Sequence, residues 1–272
     1  MAFGLPAGEL CKSDNIHAWW DSSRLEVIER FKLQCNELTL KILSCFAVCM
    51  RLPRDFLAES HQQVLPGNTL KLIKYPKLAT QPVSEIPRLS EHTDWGSLTL
   101  LFTESPGLEL RDPSNQWHDV PLVPGGVVVN IGDALSLWTN KELKSTMHRI
   151  SWKNLPIDRD RYSIPYFVHP NFGNECLYPS IKANINIMIV ATNLQPLTAP
   201  VKTEQRILYK DYYNVRLKLT WGSLTKADGE EIFNNSEKDV IKYLQALGVA
   251  NAGALESNSL PETQTQEVSL VH

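Results

Sequence analysis

Two histidines and one aspartate form the most informative pattern in this sequence. His92 and Asp94 are separated by one residue, and His148 follows much later in the chain. Two imidazoles and one carboxylate are the ligand set of a mononuclear non-haem iron(II) site, which leaves coordination positions open for substrate and dioxygen. The three residues therefore predict an iron(II) centre that carries out oxidative chemistry.

The spacing of His92 and Asp94 restricts the backbone that can carry them. Residues i and i+2 point to the same side of a β-strand, whereas on a helix they lie roughly 200° apart around the axis. The two side chains can therefore bind one ion only if the segment is extended. Strand-forming runs at 96–102 and 125–131 favour a β scaffold, in which His148 must arrive from another strand.

A second pair of side chains alternates in the run 161–167. Arg161 and Ser163 would share one face of a strand, where a planar, permanently charged guanidinium and a hydroxyl suit a carboxylate bound in a pocket. A surface ion pair is the competing interpretation for Arg161. The apolar residues around it favour burial beside a ligand, so the pair predicts an acidic co-substrate.

Six short motifs, in order along the chain, resemble the iron(II)- and 2-oxoglutarate-dependent dioxygenases of the isopenicillin N synthase-like group. They span residues 70–76, 92–99, 129–133, 138–140, 145–149 and 161–167. An isolated His-x-Asp would be a weak signal, whereas the ordered set is specific. The resemblance implies a mainly β fold with flanking helices, namely a double-stranded β-helix or jelly roll.

The resemblance also implies a role for six residues, three at the metal and three at the co-substrate. These are the Fe(2+) ligands His92, Asp94 and His148, and the 2-oxoglutarate contacts Arg161, Ser163 and Tyr75. Core packing is the competing interpretation for Tyr75, an aromatic residue that precedes a proline.

The implied activity is oxidation of a small-molecule substrate with O2, by hydroxylation, desaturation or ring formation, in secondary metabolite biosynthesis. Two alternatives remain open. One is a 2-oxoglutarate-independent oxidase of the same fold, in which the Arg-x-Ser pair binds the substrate. The other is a non-catalytic remnant that binds a ligand without turnover.

The rest of the sequence predicts four regions. They are an N-terminal helical segment at 1–67, the jelly-roll core at 68–200, C-terminal helices packing on the core at 201–250, and a disordered tail at 251–272. Apolar residues at three- and four-residue steps predict a helix from Ser22 to about Met50, capped by Asp21 or Ser22. Further helices are expected at 203–219 and 236–247.

The region before Ser22 is short for the family that the motifs resemble. Part of the usual cover of the barrel is therefore expected to be missing. An uncovered apolar surface tends to mark an interface. We accordingly expect self-association through an exposed barrel face.

Composition narrows the range of partners and compartments. The net charge is −3, and no cluster of Lys and Arg marks a nucleic-acid surface. The five cysteines form no Cys-x-x-Cys pair, which favours a reduced, cytoplasmic setting. Cys45 and Cys49 are expected to be small buried residues of the first helix. No apolar stretch is long enough to span a bilayer, so no membrane partner is expected.

Overall fold

The chain is represented by a computed structural model that describes residues 2–3, 19–62, 68–80, 87–139, 141–156, 158–171, 209, 212–213 and 216. It divides into two compact units, Met1–Lys210 and Asp211–His272. Of the predicted helix at 203–219, the structure describes four residues, and all four are helical: Tyr209, Tyr212, Tyr213 and Arg216. The predicted helix at 236–247 and the tail at 251–272 lie outside the described residues. The predicted regional boundaries stay predictions.

Ten strands form two antiparallel sheets in the described part of the chain. Their bounds are β1 (Ala2–Phe3), β2 (Thr69–Lys71), β3 (Ile73–Tyr75), β4 (Leu89–His92), β5 (Leu98–Thr103), β6 (Leu108–Arg111), β7 (Trp117–Asp119), β8 (Val128–Ile131), β9 (His148–Ile150) and β10 (Arg161–Val168). The larger sheet has the order β1-β2-β10-β5-β8, and β3 also pairs with β10; the smaller sheet has the order β4-β9-β6-β7. This arrangement confirms the predicted β fold with flanking helices.

A long helix, α1 (Ser22–Cys49), packs on the larger sheet. Asp21 caps its first turn by accepting a hydrogen bond from the Arg24 backbone N–H at 3.0 Å, as predicted. The buried face recurs at three- and four-residue steps, as an amphipathic helix requires. Its buried residues are Leu25, Cys35, Thr39, Leu43 and Ala47.

The prediction that Cys45 and Cys49 are buried is wrong, because both thiols are exposed. Each cysteine follows a buried residue, Leu43 or Ala47, by two positions. Two positions correspond to roughly 200° around a helix axis, so the cysteines point away from the sheet.

Two short helices complete the described scaffold. These are α2 (Phe56–Glu59) and α3 (Asp133–Trp138). Leu57 of α2 and Leu135 of α3 are fully buried in the same apolar cluster as α1. Among the helices in the described ranges, none combines the length and the apolarity that a membrane span requires.

The larger sheet separates the apolar core from a cavity. On β10, Tyr166 and Val168 are buried in the core with α1. The alternate residues Arg161, Ser163 and Phe167 line the cavity on the opposite face. The two-residue period of a strand therefore places the apolar packing on one side and the polar groups on the other.

Candidate active site

Pairing of β4 with β9 brings the two predicted histidine ligands together. His92 is the direct cross-strand partner of His148, and the two ring centroids are 4.3 Å apart. Asp94 lies two residues beyond the end of β4. Its Oδ1 is 3.9 Å from His92 Nε2 and 3.7 Å from His148 Nε2. Because the three candidate ligand atoms lie within 4.8 Å of one another, one metal ion could contact all of them.

The second carboxylate oxygen of Asp94 is held by two neighbouring side chains. Oδ2 accepts hydrogen bonds from Thr99 Oγ1 at 2.6 Å and from Asn130 Nδ2 at 2.8 Å. Thr99 and Asn130 are cross-strand partners in the β5–β8 pair, so both donors approach from the larger sheet. These bonds orient the carboxylate and leave Oδ1 directed toward the histidines.

Each histidine is oriented by a backbone carbonyl. His92 Nδ1 lies 2.8 Å from the Ser90 oxygen, and His148 Nδ1 lies 3.0 Å from the Thr146 oxygen. A carbonyl oxygen can only accept, so each Nδ1 carries the proton and each Nε2 presents its lone pair to the cluster. Burial, and then the nearby His148, lower the pKa of His92, which favours the neutral form that binds metals.

The backbone around Asp94 depends on two glycines. A Cβ on Gly96 would lie 2.2 Å from the Val168 oxygen, and a Cβ on Gly132 would lie 2.2 Å from the Gly96 oxygen. Only glycine permits backbone segments to approach so closely. The Asp133 N–H donates to the Asp94 carbonyl at 2.7 Å across this contact. The glycines therefore set the position from which Asp94 reaches the histidines.

A cavity of about 270 Å³ joins this cluster to the predicted co-substrate residues. Arg161 is 1% exposed, and its Nε–H donates to the Pro106 oxygen at 3.0 Å. Its Nη1 and Nη2 are buried, and neither has a hydrogen-bond partner among the described residues. Burial lowers the pKa of Arg161. A buried guanidinium with two unused donors strongly favours an anionic ligand in the cavity.

The other two predicted co-substrate residues flank this guanidinium. The Tyr75 ring centroid is 5.1 Å from the Arg161 guanidinium carbon, and the two residues are cross-strand partners in the β3–β10 pair. Ser163 is 4% exposed, lies two residues along β10 and lines the same cavity. The structure therefore places all six predicted site residues around one cavity.

The residues present fit both iron(II) and 2-oxoglutarate. Two imidazole nitrogens and one carboxylate oxygen are suitable iron(II) ligands, and Oδ2 of Asp94 is already hydrogen-bonded elsewhere. The unpaired donors of Arg161 match one carboxylate of a 2-oxo diacid. The metal ligands and the carboxylate receptor line the same cavity, so one molecule could reach both.

Thr99 and Asn130 are contributors to the site that the sequence analysis did not identify. Both lie within the sequence motifs at 92–99 and 129–133. Alternation along β5 places Thr99 on the same face as Leu101, which also lines the cavity. The alternating pattern could have suggested Thr99, but its partner on β8 required the strand pairing.

Comparisons with known proteins agree with this geometry. Residues 67–170 match the model of the 2OG-Fe(II) oxygenase superfamily. Proline hydroxylase buaE of Petromyces alliaceus is 36% identical over 156 residues, covering 53% of this chain and 47% of that protein. The 2-oxoglutarate-dependent dioxygenase gloF of Glarea lozoyensis is 32% identical over 167 residues, covering 56% of this chain and 50% of that protein. The chain thus spans about half the length of these curated relatives.

Solved structures show the same likeness. A full-length Neurospora crassa protein, solved in complex with alpha-KG and thymine, superimposes with a TM-score of 0.63 at 28% identity. The match covers 81% of this chain and 64% of the Neurospora chain. The fold, the His-Asp-His cluster and the family match agree: residues 67–170 of this chain are similar to the 2OG-Fe(II) oxygenase superfamily.

Proposed function

We propose that this protein is an iron(II)- and 2-oxoglutarate-dependent dioxygenase that oxidises a small molecule. One observation carries the proposal: the His92, Asp94 and His148 cluster and the unpaired guanidinium of Arg161 line a single cavity. A structural role for Arg161 would normally be accompanied by an ion pair, which the described residues do not provide. The pairing of a metal-ligand cluster with an anion receptor is what a 2-oxo acid co-substrate needs.

His92 Nε2, Asp94 Oδ1 and His148 Nε2 are the atoms proposed to hold the metal. With these three protein ligands, an iron(II) ion would keep further coordination positions for exchangeable ligands. When bound, iron(II) with 2-oxoglutarate and dioxygen supplies oxidation of a substrate C–H bond, coupled to conversion of 2-oxoglutarate to succinate and carbon dioxide. The hydrogen bonds to Asp94 Oδ2 keep its carboxylate from rotating away from the metal.

Arg161 is proposed to bind the carboxylate of 2-oxoglutarate that lies farthest from the metal. Its Nη1–H and Nη2–H groups are donors with no partner in the described part of the chain, and they lie in a poorly hydrated environment where charge-assisted hydrogen bonds are strong. Ser163 lines the cavity on the same strand face and is placed to add a hydroxyl contact. The Tyr75 ring lies beside the guanidinium, with its centroid 5.1 Å from the guanidinium carbon.

The proposal extends to the biological setting. We place the activity in secondary metabolism, and a relative named as a proline hydroxylase supports a small-molecule substrate. The free thiols of Cys35, Cys45 and Cys49 support a cytoplasmic location, where cysteines stay reduced. Metabolite profiling of a deletion strain and localisation of a tagged chain would test these two extensions.

The decisive experiment is an anaerobic titration of the full chain with iron(II) and 2-oxoglutarate. A visible metal-to-ligand charge-transfer band is expected, followed by succinate formation when oxygen and a panel of metabolites are added. His92→Ala should abolish the band. His118→Ala is the matched control, because His118 of β7 pairs with Asp112, which follows β6, and does not line the cavity.

Three outcomes would contradict the proposal. A wild-type chain that gives neither band nor succinate would indicate a non-catalytic ligand-binding protein. Loss of the band in His118→Ala as well as in His92→Ala would mean that the band does not report the proposed cluster. Product formation without 2-oxoglutarate would indicate an oxidase of the same fold.

A further inference from the structure

The rim of the cavity carries a lysine whose charge is not balanced by any described neighbour. Lys144, Thr146 and His148 alternate along one segment, and all three line the cavity. Lys144 is exposed, and it forms no ion pair or hydrogen bond with any part of the chain that the structure describes. The side chain is therefore free to meet a ligand on the same face that presents His148.

A second lysine lies next to another residue that lines the cavity. Lys71 of β2 places its Nζ 4.9 Å from the ring centroid of Phe167, and that ring lines the cavity. Lys71 likewise has no ion-pair partner within the described ranges. Its positive charge adds to that of Lys144 around the cavity.

The carboxylates around the cavity are too few to offset these lysines. Among the described lining residues, Asp94 is the sole acidic side chain. Under the proposed function, one carboxylate of 2-oxoglutarate is matched by Arg161, while Asp94 and the other carboxylate offset the two charges of iron(II). The charge of Lys144 is left over, so a loaded cavity attracts an anion.

Among the described lining residues, those of the smaller sheet include an apolar group. Leu89, Leu110 and Ile150 line the cavity on the smaller sheet, which also carries His148. A cavity of about 270 Å³ that also holds a co-substrate leaves space for a small molecule only. An apolar wall with one cation at its rim suits a ligand that has an apolar body and one acidic end.

We propose that the substrate is a small carboxylic acid whose carboxylate is bound by Lys144 while its apolar body lies against Leu89, Leu110 and Ile150. The inference rests on the proposed function, because it assumes that 2-oxoglutarate occupies Arg161. Lys144 thereby selects acids over their neutral analogues. It would also orient the bound acid so that one end points toward the rim and the other toward the metal cluster.

The test compares the affinities of carboxylic acids with those of their primary amides. An acid and its amide differ in charge but have nearly the same shape. The full chain is loaded with zinc(II) and saturating 2-oxoglutarate, so that no turnover occurs and Arg161 is occupied. The probes are hexanoate, cyclohexanecarboxylate and phenylacetate, each paired with its amide. Binding is measured by saturation-transfer NMR at millimolar probe concentration.

At least one acid should bind about fivefold more tightly than its amide, the effect of one partly exposed charge pair. Lys144→Met should remove this preference, and Lys144→Arg should restore it. Lys141→Met is the matched control, because Lys141 is exposed, lies three residues away and does not line the cavity. That variant should keep the preference.

Four results would overturn the inference. They are equal binding of acid and amide in the wild-type chain, absence of binding by every probe, an acid preference that survives Lys144→Met, and stronger binding of inorganic phosphate than of any acid. Failure of the proposed function is distinguishable, because it appears as a missing charge-transfer band. A Lys144-dependent acid preference without that band would leave the anion site standing.

Discussion

His92 and His148 face each other directly across the β4–β9 pair, with ring centroids 4.3 Å apart. Strand register therefore builds the metal cluster. Because side chains alternate with a period of two, a slip of one residue in β9 would turn His148 away from the cavity. The hydrogen bond of each Nδ1 to a carbonyl two residues earlier in the chain adds local orientation to this pairing.

Thr99→Val should weaken iron(II) binding about tenfold, because loss of a group that orients a metal ligand typically costs roughly 10–100-fold in affinity. The variant removes the Oγ1–H that binds Asp94 Oδ2 and keeps the shape of the side chain. Metal titration of the purified chain measures the change. Thr103→Val is the control, because Thr103 lies on the same strand and does not contact Asp94. Equal affinities in the two variants would refute the orienting role.

Arg161→Ala and Arg161→Lys should both raise the concentration of 2-oxoglutarate needed for the charge-transfer band, while iron(II) content stays close to that of the wild type. Breaking a buried charge-assisted pair costs about 3–5 kcal/mol. Lysine cannot reproduce the two parallel donors of Arg161, so the conservative change should also fail. Unchanged 2-oxoglutarate dependence in both variants would point to an oxidase whose Arg161 holds substrate.

Replacing Arg161 should impair 2-oxoglutarate binding but should not reduce the stability of the ligand-free chain. Without a ligand, Arg161 keeps two buried donors unpaired, which costs free energy in the folded state. Arg161→Met should therefore leave the thermal midpoint of the ligand-free chain unchanged or raise it. Calorimetry without metal or 2-oxoglutarate measures this. A fall of the midpoint comparable to that of a core truncation would show that Arg161 stabilises the fold through its contacts to Pro106 and Tyr75.

Stability should fall as the pH is lowered from about 6.5 toward about 4. Burial lowers the pKa of His61 to about 4, whereas in the unfolded chain this pKa returns to its ordinary value of 6.5. Between these values the unfolded state binds more protons than the folded state, so stability increases with pH and its full value is present above about 6.5. His61 is held in the core by two hydrogen bonds. Its Nδ1 contacts the Leu57 carbonyl oxygen and its Nε2 contacts Ser97 Oγ.

Thermal midpoints measured across this pH range test the role of His61. The pH-dependent loss should be smaller in His61→Gln than in the wild type. His118→Gln controls for the substitution itself, because His118 is exposed on β7. Identical slopes in the wild type and His61→Gln would show that other groups cause the acid sensitivity.

Self-association through an exposed barrel face stays a prediction, and the described residues offer a second apolar surface for association on the outer side of α1. In the structure, the outer side of α1 exposes Val27, Leu38 and Val48. Light scattering should detect concentration-dependent association of the wild-type chain, and Leu38→Glu with Val48→Glu should reduce it. Lys41→Glu controls for the added negative charge on the same helix. A monodisperse wild-type monomer at all concentrations would contradict the prediction.

Local patterns in the sequence were sufficient for the parts of this protein that depend on neighbouring residues. The Asp21 cap and the periodicity of α1 predict the first helix, since caps and helix faces are set within a few residues. The one-residue spacing of Arg161 with Ser163 predicts a shared face, since strand side chains alternate, whereas Asp94 lies just beyond the strand that carries His92. Cys45 and Cys49 show the limit: a short apolar stretch does not reveal which side of a helix meets the sheet.

Only the tertiary structure decided how distant segments meet. The β5–β8 register brings Thr99 and Asn130 to the same oxygen of Asp94, and a close approach of three backbone segments requires Gly96 and Gly132. The unpaired donors of Arg161 and the free charge of Lys144 also became visible only when their described surroundings were known. The physical reason is that burial, pairing and missing partners depend on which distant residues meet in the folded chain, whereas the sequence determines residue type and local periodicity.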